Sequence, residues 1–525
     1  MNAAARQVES IIVVGGGDAG LLTALALDKG LDDVPVTVID DFEESVPEVG
    51  KSTLTYVPHF LHNLLEIDRK RMVQEVELAW KTTVYFEDWC GVGPFHSPLG
   101  EVLPIVNRVN QQRRGEQGPQ LGPHALTTDH EQGFHEYYYR HEQGEYKTLY
   151  GEIAETPGKT PLVIDDRNVT TVRKALSDAA YHFNSKSLNG FLRTVCAERE
   201  VELINDRMTD ISTDDSRIDS IEGETDRYEA DLYVDATGFR RELMTALGNE
   251  FIEFDLPVDA AAVTTVDVDD ADLVSATVVT SGDAGWFWQI DTPGIRDLGY
   301  VYSSDHRSEA EALNEFVEAR DEPIDRDDVR YYRFESGVVD RPWMGNCVAT
   351  GNALGFVEPL QSTALSTTTF LATRLTQLLA KHGRVNHAGL RELYNSSTRT
   401  TWEEVYHFIS IYYTYNSGTT PFWEAASKID PGPIDQVESY HASGFCAPED
   451  QYRLTRVDAD VNNYYLYYQI LRELGVESEF YANLAFEPDT EVAAEVDKYT
   501  DSLPLQANEF LSYPEFYVSF HPGYD

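Results

Sequence analysis

The chain has 525 residues, with 90 acids against 41 bases and a formal net charge of −49. That length has room for two or more modules around a large core. Acids spread along the whole sequence make nucleic acid a poor partner, because phosphate contacts need clustered bases. No apolar run is long enough to cross a membrane, so no membrane partner is expected. The first residues hold neither the basic region nor the apolar core of an export signal, and a cytoplasmic location is expected. The four cysteines, Cys90, Cys196, Cys347 and Cys446, show no C-x-x-C spacing and read as buried thiols in a reducing compartment. The acidic balance predicts a halophilic source, where concentrated salt screens the self-repulsion.

In chain order, Ile11 to Val14 is a β-branched apolar run, as a strand covered on both faces needs. It runs into Gly15-Gly16-Gly17-Asp18-Ala19-Gly20, a G-x-G-x-x-G turn that opens a helix over about Leu21 to Lys29. The first glycine allows the tight turn, the second a close approach of backbone to a pyrophosphate, and the third close helix–strand packing. The helix N-terminus then faces the phosphates. A second strand, Val36 to Ile39, ends in Asp40, about 20 residues beyond the turn, where an acid takes ribose hydroxyls. The motif does not tell FAD from NAD.

Gly50-Lys51-Ser52-Thr53 is similar to the end of a P-loop, but Ser45 stands where that pattern needs glycine, so triphosphate hydrolysis is rejected. Tyr56 to Ile67 has helical spacing, and Leu78 to Phe86 reads as one strand. Lys81 inside that apolar segment is either a snorkelling edge residue or a functional amine, and spacing alone favours the former. Residues 91–165 are expected to hold long loops. His130, His135 and His141 lack H-E-x-x-H spacing and predict no metal site. The spacing predicts a helix over 169–200. The strand Leu232 to Asp235 leads to Gly238, and such a strand beside the first one closes a dinucleotide site in FAD enzymes. Residues 250–305 alternate as in a mixed or antiparallel sheet. Trp286 and Trp288 lie there and share one strand face. A strand reaches another glycine turn at Gly351. Gln361-Ser362-Thr363-Ala364 then opens a helix to about Lys381, whose N–H groups could hold an anion. Residues 386–525 are aromatic-rich and mostly helical in pattern.

Taken together, these motifs resemble the flavin-dependent tryptophan halogenase family, from Ser10 to about Gly475. GGGDAG at 15–20, Trp286-Phe287-Trp288-Gln289-Ile290, Gly299 to Ser304, Gly345 to Val348, Phe356 to Leu360 and Thr420 to Trp423 occur in the family's order. The resemblance implies a Rossmann-like FAD-binding α/β domain over 1–385 with an inserted mixed β-sheet, plus a helical substrate module over 386–525. It implies FADH2 from a separate flavin reductase, and chloride or bromide as cosubstrate. Hypohalous acid then passes a wall of Trp286 and Trp288 to the catalytic lysine, Lys81, which presents the halogen to an aromatic small molecule. For Lys81 the resemblance outweighs the spacing. It implies FAD at Gly15, Gly17, Asp18, Ala19, Gly20, Asp40, Gly238 and Gly351, and halide at Ser362, Thr363 and Ala364. His96, Tyr464 and Tyr465 would line the substrate pocket. A homodimer is compatible with these features. The sequence departs from the family at Lys51, at Ala364 for glycine and at Asp291 for proline. It also has Gln361 where tryptophan halogenases carry a glutamate that stabilises the cationic ring. Gln361 cannot supply that charge, so substrates more activated than tryptophan are expected. Two alternatives are a monooxygenase of the same fold that has lost halide chemistry, and a flavin-binding protein without catalysis. The latter has no need of Lys81 and both tryptophans.

Overall fold

In the computed structural model, the described residues are 6–43, 50–99, 149–162, 179–214, 216–430, 470–476 and 510–520, with isolated positions at 494, 497, 498 and 501. Tyr464, Tyr465, Cys446, His130, His135 and His141 lie outside them.

The strand Ile11–Val14 is buried along its whole length because both its faces are covered. Ile11 and Val13 pack into a core with the first helix, and Ile12 and Val14 into a second core on the opposite face. It sits inside a six-stranded sheet in the order Trp343–Met344, Cys347–Ala349, Leu232–Asp235, Ile11–Val14, Val36–Asp40, Glu202–Asn205. The pairings from Cys347–Ala349 to Glu202–Asn205 are parallel, with Asp235 opposite both Val14 and Ala349. The carboxyl ends of these strands therefore stand side by side, the edge at which open α/β sheets bind ligands. The helix Asp18–Gly30 follows the glycine turn directly.

A seven-stranded sheet forms the second layer, in the order Arg330–Arg333, Ala260–Asp267, Ile295–Tyr302, Gly285–Thr292, Ala276–Gly282, Thr83–Asp88, Phe95–Pro98. A small antiparallel sheet joins Lys51–Ser52, Ala180–Phe183 and Leu78–Lys81. Helices Thr363–Lys381, Ala388–Thr414 and Pro421–Ala426 follow. The mixed α/β architecture and the helical continuation agree with the sequence reading.

Two elements differ from expectation. Leu78 to Phe86 is not one strand. It breaks at Thr82 into Leu78–Lys81 of the small sheet and a strand from Thr83 in the large one. Within the expected helix over 169–200, the described residues hold a buried strand, Ala180–Phe183, and then a helix that starts at Ser185. Asn184 makes the boundary, because its side chain accepts hydrogen bonds from the Lys186 and Ser187 amides as an N-cap. Among the described residues, no helix is long and apolar enough to cross a membrane.

Candidate active site

The glycine turns converge at the sheet edge. Gly15 has φ +111°, and a Cβ there would lie 2.3 Å from the Ala236 carbonyl oxygen. A Cβ on Gly20 would lie 2.0 Å from the Gly15 carbonyl oxygen, so these two glycines permit backbone contact. Gly17 differs: its φ is −69°, and a Cβ there would meet nothing within 4 Å. The space in front of Gly17 is open, at the N-terminus of a helix whose first N–H groups point outward, which suits a pyrophosphate. Asp40 Oδ2 accepts the Gly16 amide at 2.8 Å, which fixes the acid beside the turn. Gly351 packs against Ala19, and Thr23 and Thr350 hydroxyls meet at 2.9 Å, tying the third turn to the helix. At Gly238, with φ +66°, a Cβ also faces open space. The open space before Gly17 and Gly238, with Asp40 beside the turn, has room for a dinucleotide.

Lys51, one of the departures, is an ion-pair partner: its Nζ stands 2.6 Å from Oδ2 of buried Asp18, at the helix start. Asn189 donates to the other Asp18 oxygen and to the Gly16 carbonyl, both at 3.1 Å. Asp291, where the family has proline, is also anchored. It lies directly across a hairpin from Arg296, which grips both its oxygens at 2.9 and 3.1 Å. The Val274 amide and the Gln289 side chain donate to it as well. Burial pushes its carboxyl up while Arg296 pulls it down. Asp291 is thus a buried half of a structural pair.

Lys81 is wholly buried, which rules out the snorkelling reading, and burial holds its ammonium well below the ordinary lysine range. Its Nζ donates to Ser362 Oγ at 2.9 Å, and Ser362 Oγ in turn donates to Ser52 Oγ at 2.8 Å. Among the described residues no carboxylate lies within ion-pair distance of Lys81. Ser362 occupies the N-cap position of the 363–381 helix, but in the left-handed region (φ 59°), and its hydroxyl does not cap the helix. It turns to the lysine, leaving the Thr363 and Ala364 end without a side-chain cap. Gln361 is held differently: its Nε2 donates to Tyr412 OH at 2.6 Å, and Ser97 Oγ donates to its Oε1 at 3.3 Å.

Trp286 and Trp288 are both buried on one face of their strand, ring centres 6.1 Å apart. Trp288 lies over Gly299, where any Cβ would strike the indole. Trp286 Nε1 donates to Glu358 Oε2 at 3.1 Å and meets Tyr413 OH at 3.0 Å. Tyr413 OH donates to the same Glu358 oxygen at 3.1 Å, and the Leu360 amide to the other at 2.9 Å. Burial raises the Glu358 carboxyl to about 8. His96 stacks on Tyr85 with ring centres 4.7 Å apart, and its Nε2 lies 3.0 Å from Glu155 Oε1. Phe86 and Trp89 pack on Tyr412, Phe95 stacks on Phe86, and Trp423 packs on Trp89, so the aromatic segments from distant parts of the chain form one cluster. Sequence reasoning missed Ser52, Glu358, Tyr412 and Tyr413, because only the fold brings them to the lysine and the tryptophans.

Parallel strand ends with glycine turns, and a buried amine beyond them, define a dinucleotide-dependent α/β enzyme. A profile of the tryptophan halogenase family matches residues 10–487. Tryptophan 7-halogenase RebH of Lentzea aerocolonigenes is 28% identical over 461 residues, covering 83% of this chain and 82% of that protein. Tryptophan 6-halogenase SttH of Streptomyces toxytricini is 28% identical over 426 residues, 78% of each chain. The crystal structure of MibH, a lathipeptide tryptophan 5-halogenase, matches with a TM-score of 0.78 at 25% identity, covering 98% of this chain and 94% of that one. The chain belongs to the tryptophan halogenase family and is a flavin-dependent enzyme of that kind.

Proposed function

We propose that this enzyme halogenates an electron-rich aromatic small molecule, with Lys81 presenting the halogen to the ring. The observation that carries this reading is the buried lysine, held by Ser362 and paired with no carboxylate among the described residues. Removing an ammonium from water costs several kcal/mol, so such a lysine favours the neutral amine. A neutral amine has the lone pair that an electrophilic halogen meets; an ammonium has none. Reduced FAD, delivered by a separate reductase, would supply two electrons to O2, which is the oxidant that turns chloride or bromide into hypohalous acid while its other oxygen leaves as water. The chain's own residues do the rest. The uncapped start of the 363–381 helix, at Ser362, Thr363 and Ala364, offers N–H groups to the halide. Trp286 and Trp288 form a wall that keeps flavin and substrate apart, and Glu358 and Tyr413 fix the Trp286 indole. His96 faces the substrate side, to which the 386–525 module contributes, while 1–385 holds FAD.

Gln361 narrows the substrate. Electrophilic attack makes the ring cationic, and an anion in a low-dielectric pocket stabilises that charge strongly. An amide offers a dipole, already engaged by Tyr412 and Ser97. Losing one such electrostatic contact costs on the order of 3 kcal/mol, about a hundredfold in rate. Free tryptophan should therefore react slowly, and phenols, pyrroles or amino-substituted rings faster. Gln361→Glu is expected to raise turnover of weakly activated indoles, measured as halogenated product per enzyme. Brisk tryptophan chlorination by the unaltered enzyme would refute this narrowing.

The charge carries a second expectation. At −49, self-repulsion opposes folding, and molar salt shortens its range to about 3 Å. The melting temperature should rise by on the order of 10 °C between dilute buffer and molar KCl. A flat salt profile in a thermal melt would remove the halophilic reading.

A further inference from the structure

We propose that His182 ends a hydroxyl chain that orients Lys81 and receives its proton, which makes Ser52, Thr277 and His182 positioning residues for the lysine. The proposal rests on the halogenase reading only for what Lys81 does next. Lys81 Nζ meets Ser362 Oγ at 2.9 Å, Ser362 meets Ser52 Oγ at 2.8 Å, Ser52 meets Thr277 Oγ1 at 2.7 Å, and Thr277 meets His182 Nε2 at 3.0 Å. Lys81, Thr277 and His182 are buried, and Ser362 nearly so. The small sheet builds the alignment. Ser52 lies directly opposite His182, while Lys81 faces Ala180 two residues away on the same strand, so Lys81 and His182 share one face.

The first two links have a set direction. Lys81 donates to Ser362, and Ser362 to Ser52. The Ser52–Thr277 and Thr277–His182 contacts can run either way; where they continue that direction, each hydroxyl passes its own proton onward and the last acceptor is the imidazole lone pair at Nε2. This requires the neutral Nδ1–H tautomer; Nδ1 is buried without a hydrogen-bond partner among the described residues, and the Asp291 backbone carbonyl favours a proton on the ring. The groups bearing on the imidazole are that carbonyl and the Lys81 amine; the Asp291 carboxylate itself is occupied by Arg296. Burial, and then the lysine's charge, push His182 down to about 3, and burial holds Lys81 down too, so neither end of the chain keeps a charge readily. In the step proposed, Lys81 gives one proton to Ser362 as Ser362, Ser52 and Thr277 each hand theirs on to His182. The amine is left neutral and the imidazole charged, with no electron transferred and no heavy-atom bond changed. A lysine that lacks a carboxylate partner thereby gains an internal acceptor.

The test combines Thr277→Val, which cuts the chain at nearly constant shape, with Thr277→Ser, which restores the hydroxyl. Nitrogen-15 spectra of the free full-length protein, labelled at histidine and assigned through His182→Gln, should show a neutral His182 in the Nδ1–H tautomer at neutral pH. Thr277→Val should move its Nε2 resonance. With reduced FAD, O2 and bromide, Thr277→Val should lower product formation by ~10- to 100-fold. It should also shift the acid limb of the pH profile upward, because the amine keeps its proton to higher pH, and Thr277→Ser should recover to within about twofold. An Nε2–H tautomer would overturn the proposal. So would a Thr277→Val enzyme with an unchanged profile, or a serine variant as impaired as the valine. If the unaltered enzyme shows the Nδ1–H tautomer yet halogenates nothing, the halogenase reading fails and the chain stands.

Discussion

Lys81→Ala is expected to abolish halogenated product while consumption of reduced flavin and O2 continues. The amine's partner is Ser362, and among the described residues no hydrogen bond or ion pair ties it directly to the Gly15–Gly20 turn, so flavin binding should persist. What is lost is the positioned carrier between oxidant and ring. Setting a positioned reactant free costs effective concentration, and the fall in product should be at least about 10³-fold. Oxidant should instead escape, readable with a scavenging dye. Replacing the buried amine removes a desolvation cost but leaves a cavity. Lys81→Met, close in shape and uncharged, controls for packing and should fail as completely. Product from either variant at half the unaltered rate would mean the lysine is not the carrier.

Gly17→Val is expected to abolish FAD binding without unfolding the protein. At Gly15 or Gly20 a side chain would strike backbone and damage the fold itself. At Gly17 the backbone is in the ordinary extended region and a Cβ faces open space, so valine fits the free protein. The same space is where a pyrophosphate would lie, and branched carbons there exclude it. Saturation at a hundred times Kd stabilises a fold by about 2.7 kcal/mol. The unaltered protein should therefore melt higher with FAD, and the variant should melt at one temperature with or without it. A variant that copurifies with flavin as the unaltered protein does would place the cofactor elsewhere.

How much of this was legible depended on the range of the interactions. The glycine turn was readable because strand, turn and helix are fixed by neighbours in sequence, and Gly15 and Gly20 make the backbone contacts their spacing predicts. The helix at 363–381 was readable from its start for the same reason. His182 was not, because apolar residues at 172, 176 and 180 continue the period of the true helix, and the segment read as one helix over 169–200. Asn184 ahead of Ser185 was the local signal that could have separated strand from helix. Glu358 was invisible for a different reason: Trp286 and Tyr413 lie far away in sequence, and no periodicity brings a carboxylate to an indole. The Asp291–Arg296 pair stands between. Its residues flank a Thr-Pro-Gly-Ile turn, so the hairpin was readable, yet the burial that makes the pair structural was not.

The most direct test supplies reduced FAD, O2 and bromide in high salt to the unaltered enzyme and to Lys81→Ala, with a panel of phenols, pyrroles and indoles, and reads products by mass. The account predicts brominated product, recognised by its isotope doublet, from the unaltered enzyme alone, with flavin oxidation in both. Hydroxylated product in place of brominated, or bromination that survives loss of Lys81, would contradict it.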